Sequence, residues 1–440
     1  MPVPVRRSEL HHRPDHRRRR GLERVSGPGS TGAGDIEVHN PFVGNRLGFD
    51  GLPVVTGAVI TGRVTEVAFA DGRRRRYHHQ WLRHCCYCRE CGNPADGIRR
   101  VTVISFDSGI TPADTWAAEG DLHVAWPDGH RSAYGADWLI HNSYDTADRA
   151  RRSAWRPVLW RSELAEDFPT VEWSSADGSD SGRFEMYRLL RDFGVVRVGG
   201  LGADPERTEA LASLLGPIHE TTVYGRIYDV RAEPVSKLGA KTGMAQAPHV
   251  DDAFQYSPPG IDVFHCLAGA GRGGMSTYVD GFAVASDIEA TAPDAYELLT
   301  TLPVSHIRWH PGEIDMRSRS PLITVDGEGR VRGIRYFDRS LAPLDVPAGL
   351  IEPLYDAVRE FNRRITDPAF VAEIQVAPGE GILIDNHRVL HGRTAFDPAS
   401  GRHIRLCHVP REEFHGRLRE LTRRLDPANH DIHLPSGSAT

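Results

Sequence analysis

No run of this sequence approaches 18 apolar residues, so no membrane-spanning helix is expected. Cysteine is scarce: six in 440 residues, with four between Cys85 and Cys91, which excludes a disulfide framework. No apolar stretch follows the early positive charges, so no signal peptide is read. Clustered thiols without such a signal point to a reducing compartment and a cytoplasmic location. No glycine-rich loop of the dinucleotide or P-loop type occurs, and no internal repeat. Lysine is nearly missing, with Lys237 and Lys241 the only two of 53 basic residues, a bias that speaks to genomic composition more than to function. Nor is there an excess of positive charge; the formal net charge is −6, so a nucleic-acid partner is not expected.

What is present is ordinary for a globular protein, with 40% hydrophobic and 25% charged residues. The length allows two domains, or one large domain with an accessory unit. Residues 1–40 combine His11-His12-Arg13-Pro14-Asp15-His16 and its following arginines with a Gly/Ser-rich stretch, and read as a disordered basic arm. Residues 60–69 and 76–82 read as strands joined at Asp71-Gly72, with further strands at 101–106 and 122–126. This small, mostly β unit closes at 133–139. Residues 140–180 read as a connector. Helices are expected at 183–191, 205–215 and 350–364. Strands are expected at 193–198, 263–267, 322–325, 331–336, 373–376, 381–385 and 403–409. Many short strands with a few helices favour a barrel or sandwich wrapped by helices over a doubly wound sheet.

Cys86, Cys88 and Cys91 are spaced closely enough for three thiolates to converge on one ion. Structural zinc takes four ligands, and Cys3His is a common set. His130, at a turn between two strands, is preferred to His84 as the fourth, partly for that loop position. Cys85 would point away. Free cysteines packed in a core are a poor fit to neighbours such as Arg83, Arg89 and Glu90. Such a site would staple a domain whose own core is small.

In Ala247-Pro248-His249-Val250-Asp251-Asp252, a histidine and an aspartate two apart share one face if they lie on a strand. A distant histidine, in Asp385-Asn386-His387-Arg388-Val389-Leu390-His391-Gly392-Arg393, could complete a set of two histidines and one carboxylate. That set leaves three positions open, the arrangement of non-haem iron(II) oxygenases.

These stretches, with Trp81-Leu82-Arg83, Trp126-Pro127-Asp128-Gly129-His130, Gly273-Gly274 and Val279-Asp280-Gly281-Phe282, carry a resemblance. From about residue 59 to 418 the chain resembles the gamma-butyrobetaine and trimethyllysine dioxygenase branch of the taurine-dioxygenase-like, 2-oxoglutarate-dependent oxygenases. The resemblance implies a mainly β fold with flanking helices: a double-stranded β-helix (jelly roll) at 183–425 after a small β-rich zinc-binding domain at 41–140. A connector (141–182) joins them, and 426–440 is read as a flexible tail. It supports Cys86, Cys88, Cys91 and His130 as zinc ligands and implies His249, Asp251 and His391 as iron ligands. Arg402, in an Arg-His pair, would anchor 2-oxoglutarate, a role suited to a guanidinium's paired hydrogen bonds. Ser276 takes the place of a threonine that assists the cosubstrate. Fe(II), 2-oxoglutarate, O2 and structural Zn(II) are thereby implied, as is a homodimer.

The resemblance also implies C–H hydroxylation with release of succinate and CO2. Asp251 occupies the position that halogenases leave open for chloride, which favours hydroxylation; desaturation, epoxidation or cyclisation would use the same centre. An aromatic cage for trimethylammonium would begin at Tyr224 and Tyr228, but its other positions read Lys241, Asp252 and His408. A small polar or zwitterionic metabolite is therefore expected, with a trimethylammonium compound as the alternative. From another class, the rival is a catalytically silent zinc-containing scaffold.

Overall fold

The computed structural model describes residues 53–92, 98–231 and 242–426. The expectations for the arm (1–40), for the tail beyond Asp426 and for Lys241 lie outside the described residues.

The chain begins with an antiparallel meander of β1 (Val55–Thr61), β2 (Val64–Phe69) and β3 (Arg74–His78), followed by α1 (His79–His84). Residues 60–69 are thus not the single expected strand: Thr61 pairs with Val64 across a tight turn at Gly62-Arg63. The stretch 76–82 likewise changes from strand to helix at His79. A second meander comprises β4 (Asp114–Ala118), β5 (Asp121–Ala125) and β6 (Arg131–Tyr134), and leads to α2 (Ala136–Asn142) and α3 (Thr146–Arg152). Residues 101–106 form no strand. Val103 and Ile104 are 67% and 89% exposed there, so their β-branched side chains have no sheet to pack on. Val67, Tyr77, Leu122, Val124, Trp126 and Tyr134 build the module's small core.

The stretch read as a connector contributes a strand to the main sheet. After β7 (Thr170–Glu172), α4 (Trp173–Gly178) and α5 (Asp180–Phe193), β8 (Val195–Gly199) pairs parallel with β7. Then follow α6 (Glu206–Leu215), β9 (Tyr228–Arg231), β10 (Gln246–His249), β11 (Ile261–Ala268) and β12 (Ser276–Asp280). Helices α7 (Gly281–Thr291) and α8 (Pro293–Thr301) lead to two hairpins, β13 (Pro303–His310) with β14 (Ile314–Pro321), and β15 (Ile323–Val325) with β16 (Val331–Ile334). The chain closes through α9 (Ile351–Thr366), β17 (Ala372–Ile374), β18 (Gly381–Asp385), β19 (Val389–Arg393), β20 (His403–Val409) and α10 (Arg411–Leu425). Among the described residues no helix is long and apolar enough to cross a membrane.

The result is a mixed β-sheet core with flanking helices. Six strands run in the order β7-β8-β18-β11-β20-β9 and four in the order β10-β19-β12-β17. Strand periodicity explains the layering. In β18, Ile382 and Ile384 join Tyr278, Ala372, Ile374 and Val389 of the four-stranded sheet in one cluster, while Leu383 points the other way into the layer of α5, α6 and α10. A strand buried on both faces needs an unbroken apolar run, which Gly381-Ile382-Leu383-Ile384 supplies. Helix α9 shows the complementary pattern: Leu354, Ala357, Val358, Phe361 and Ile365 recur at helical spacing and pack with α7 and α8.

Candidate metal centres and active-site cavity

His249 and His391 are direct register partners on β10 and β19, which brings their rings to 4.6 Å between centroids. Gly392 makes this approach possible, since a Cβ there would lie 2.4 Å from the Gln246 carbonyl oxygen. Asp251 does not share a strand with His249, as the His-x-Asp spacing leads one to expect. It lies past the end of β10, in a turn. Asn386 holds that turn in place: its Oδ1 accepts from the Asp251 backbone N–H at 2.7 Å, and its Nδ2 donates to the Asp251 carbonyl at 3.1 Å. Asp251 Oδ1 consequently reaches 3.4 Å from His249 Nε2 and 3.6 Å from His391 Nε2. His249 Nδ1 bonds the Ala247 carbonyl, which leaves Nε2 facing the carboxylate.

The donor set fits a divalent ion of intermediate softness, two nitrogens and one oxygen within 4.8 Å of one another. Burial pushes the His391 imidazole down to about 3, so it is neutral and able to coordinate.

The triad opens into a cavity of about 540 Å³. One end is formed by Ser276, Tyr278, Arg393 and Arg402. Arg402 lies over the Phe396 ring at 5.2 Å, and burial lowers its pKa. Gly274, at φ +64°, gives it room: a Cβ there would stand 3.3 Å from Arg402 Cδ and Nε. The sequence reading missed Arg393, which period-two counting from His391 along β19 would have found.

Tyr224, Tyr228, Asp252, Arg308, Trp309 and Phe337 line the cavity as well, with Phe337 against the His249 ring at 4.5 Å. Tyr224 and Tyr228 stack on each other with centroids 4.6 Å apart. Asp252 faces the cavity in a left-handed backbone conformation (φ +49°); burial, with Asp251 alongside, pushes its carboxyl up to about 7. His408 does not itself line the cavity. It faces Asp262 as a register partner across β20 and β11, bonded Nδ1 to Oδ1 at 2.7 Å, with Tyr228 Oη 3.4 Å from its Nε2. Burial disfavours charge on His408, but that carboxylate more than compensates and raises its pKa to about 9. The remaining Asp262 oxygen, Oδ2, is buried 3.9 Å from His391 Nδ1, and among the described residues neither atom has a hydrogen-bond partner. No sequence pattern marked Asp262 or Arg308.

The cysteine cluster closes as expected. His130 Nε2 lies 3.5, 3.7 and 3.4 Å from the sulfurs of Cys86, Cys88 and Cys91. A tetrahedral zinc with ordinary Zn–S and Zn–N bonds gives an S···N edge of about 3.6 Å. His130 Nδ1 bonds Glu90 at 3.1 Å, the outer carboxylate that commonly orients a ligating histidine. His84 is engaged elsewhere, by Arg99 at 2.8 Å. Burial and the neighbouring sulfurs push the Cys91 thiol up to about 12, a position an ion would reverse.

Known proteins resemble this chain over most of its length. Residues 127–408 match the family described as Taurine catabolism dioxygenase TauD, TfdA family, and residues 60–140 match Gamma-butyrobetaine hydroxylase-like, N-terminal. The chain is 34% identical to a gamma-butyrobetaine dioxygenase of Pseudomonas sp. (strain AK-1), over 84% of this chain and 97% of that protein. It is 31% identical to the mitochondrial trimethyllysine dioxygenase of Gallus gallus, over 79% of this chain and 84% of that one. The solved structure of a putative alpha-ketoglutarate-dependent taurine dioxygenase from Burkholderia xenovorans matches with a TM-score of 0.43 and 17% identity, over 57% of this chain and 90% of that chain. The chain belongs to the taurine-dioxygenase-like family of Fe(II)- and 2-oxoglutarate-dependent oxygenases, in the branch that holds the gamma-butyrobetaine and trimethyllysine dioxygenases.

Proposed function

We propose that the chain hydroxylates an unactivated C–H of a small polar or zwitterionic metabolite, with His249, Asp251 and His391 holding Fe(II). The observation that carries this reading is the convergence of the three donors at a cavity whose wall also presents Arg402. Iron bound there supplies the redox chemistry by which substrate C–H, 2-oxoglutarate and O2 become C–OH, succinate and CO2. The chain's own part is placement. Arg402 grips the distal carboxylate of 2-oxoglutarate through paired hydrogen bonds, and Ser276, beside Arg393 in the β12–β19 register, offers a hydroxyl at the same end. Phe264, Tyr278, Val376, Ile382 and Ile404 keep that end apolar, so the charge-assisted bonds are not diluted by water.

The four- and six-stranded sheets we read as the two faces of a double-stranded β-helix, and the Cys86-Cys88-Cys91-His130 set as structural Zn(II) with no position open for catalysis. The stacked Tyr224 and Tyr228 favour a second reading, in which a trimethylammonium compound is the substrate, as the names of the relatives would have it.

The test is anaerobic addition of Fe(II) and 2-oxoglutarate, followed by the weak visible charge-transfer band of the chelate. The parent should form the band. Arg402→Ala should weaken 2-oxoglutarate about 10- to 100-fold, the worth of losing hydrogen bonds to a charged group. A folded, zinc-loaded parent that forms no band would refute the iron assignment.

A second expectation concerns Asp262. A metal-bound His391 carries its proton on Nδ1, and Asp262 Oδ2 is the buried acceptor facing it. Asp262→Asn should weaken Fe(II) binding about 10- to 100-fold, the usual effect of removing such an outer partner. An unchanged Fe(II) titration would show that His391 is oriented by its packing alone.

A further inference from the structure

Arg308, on β13, is a cavity charge with no role in the reading above. Its Nε and Nη2 are buried and, among the described residues, have no hydrogen-bond partner, although the side chain lines the cavity. A guanidinium is charged at any ordinary pH, and leaving its donors unmet in a buried setting is costly. Strand β13 runs beside the Asp252 turn: Ser318, the register partner of His306 two residues before Arg308, donates to the Ala253 carbonyl at 2.6 Å, whereas Arg402 lies over the Phe396 ring beside Gly274. Arg308 and Arg402 therefore sit on different elements of the cavity wall, and Arg308 is free to meet an anionic group other than the one assigned to Arg402.

Asp252 supplies the complement. It is buried and lines the same cavity, and Gln255 Nε2 donates to its Oδ2 at 2.8 Å. A carboxylate and an unmatched cation thus line one cavity together with the Tyr224–Tyr228 stack. A ligand carrying both charges satisfies both side chains at once. A singly anionic ligand engages Arg308 alone.

Resting on the oxygenase reading above, we infer that the substrate is a zwitterion whose carboxylate or phosphonate is gripped by Arg308 and whose N–H-bearing ammonium is gripped by Asp252. The N–H matters. A quaternary ammonium offers Asp252 only Coulomb attraction, and its methyl groups cover the carboxylate without donating to it. A primary or secondary ammonium makes a charge-assisted bond, about twice as strong as a neutral one.

The experiment starts from the anaerobic Fe(II)–2-oxoglutarate holoprotein, with zinc in place. Glycine, β-alanine, 4-aminobutyrate, 5-aminopentanoate and 2-aminoethylphosphonate are titrated beside their N,N,N-trimethyl counterparts, and the change in the visible band gives Kd. At least one amine zwitterion should perturb the band and, on adding air, release succinate. Its trimethyl counterpart should bind about 10-fold or more weakly. The carboxylate and phosphonate arms tell which anion is held. Arg308→Gln and Asp252→Asn should each weaken the responsive compound about 10-fold or more while the band itself still forms, with Arg308→Lys recovering part of the loss. Tighter binding of the trimethyl compounds, no response to any amine zwitterion, or an unchanged Kd in Arg308→Gln would overturn the inference. An absent band in the parent is a different failure, since it overturns the iron assignment on which the inference stands.

Discussion

Removing the ion from Cys86, Cys88, Cys91 and His130, by chelation or by Cys86→Ser, should unfold the N-terminal module. The three cysteines follow directly after α1, and His130 sits between β5 and β6, so one ion ties the helix to the second meander. The module's core is a single small cluster around Val67, Leu82, Leu122, Trp126 and Tyr134. Domains of that size rarely bury enough apolar surface to be stable unaided. Zinc binding to a comparable set is worth on the order of 10 kcal/mol or more, as much as the whole stability of a small domain. Surrounding groups are also built for the ion. Ser132 Oγ donates to Cys86 Sγ at 3.2 Å, and Arg83, held by Asp128 at 3.1 Å, points an N–H at Cys91 Sγ. The measurement is near-ultraviolet circular dichroism, where Trp126 and Trp138 report on the packed core, alongside colorimetric zinc release. Zinc loss with no change in that signal would mean that the ion decorates a module that stands without it.

The second large effect is expected at Arg388. Its side chain is 2% exposed and its guanidinium makes paired bonds to Asp280, Nε to Oδ1 at 3.0 Å and Nη2 to Oδ2 at 2.8 Å. It also donates to the backbone carbonyls of Asp192, at the end of α5, and Val158. Asp280 is no less committed, since it caps α7 by accepting from the Phe282 N–H at 3.0 Å. One arginine thus joins the strand before His391, the cap of α7, the end of α5 and the segment that leads to β7. Arg388→Ala leaves the Asp280 carboxylate buried and unpaired, a change that costs roughly 3–5 kcal/mol. Arg388→Lys should recover little, because a point charge cannot reach three partners at once. Urea unfolding with an unchanged m-value is the measurement; a midpoint within error of the parent would rule the network out as a determinant of stability.

The metal centres were legible because coordination leaves local marks. Three cysteines within six residues and a histidine at a hairpin turn survive any error in the strands around them. The triad was legible as residue types, but the reason first given for Asp251 was not the one the chain uses. The pairing with His249 comes from Asn386 clamping a turn, a long-range bond with no spacing signal. Strand reading failed where a partner was needed to decide. Residues 101–106 have the β-branched composition of a strand but find no neighbouring edge. Residues 60–69 hold two strands because Gly62-Arg63 turns within them. The β13–β14 hairpin escaped altogether, and Arg308 with it, because polar residues take most of its buried positions, His306 in β13 and Ser318 and Ser320 in β14. Asp262 was hidden for a different reason: a buried carboxylate inside an apolar strand reads as an exception until His408 is seen opposite it.

The register pairing of His249 with His391 carries a mechanical consequence. These two residues lie on adjacent strands, yet all of β11 to β18 separates them along the chain. An ion bound to both acts as a cross-link closing a loop of well over a hundred residues. The pairing it would reinforce is weak by itself, because β10 is four residues long and its ladder to β19 is broken by a register shift. A covalent bridge across a loop of that length removes about 4–5 kcal/mol of unfolded-chain freedom. Even a fraction of that, delivered reversibly, would make iron a fastener of the four-stranded sheet as well as a reagent, with the edge strand loosening whenever the ion leaves.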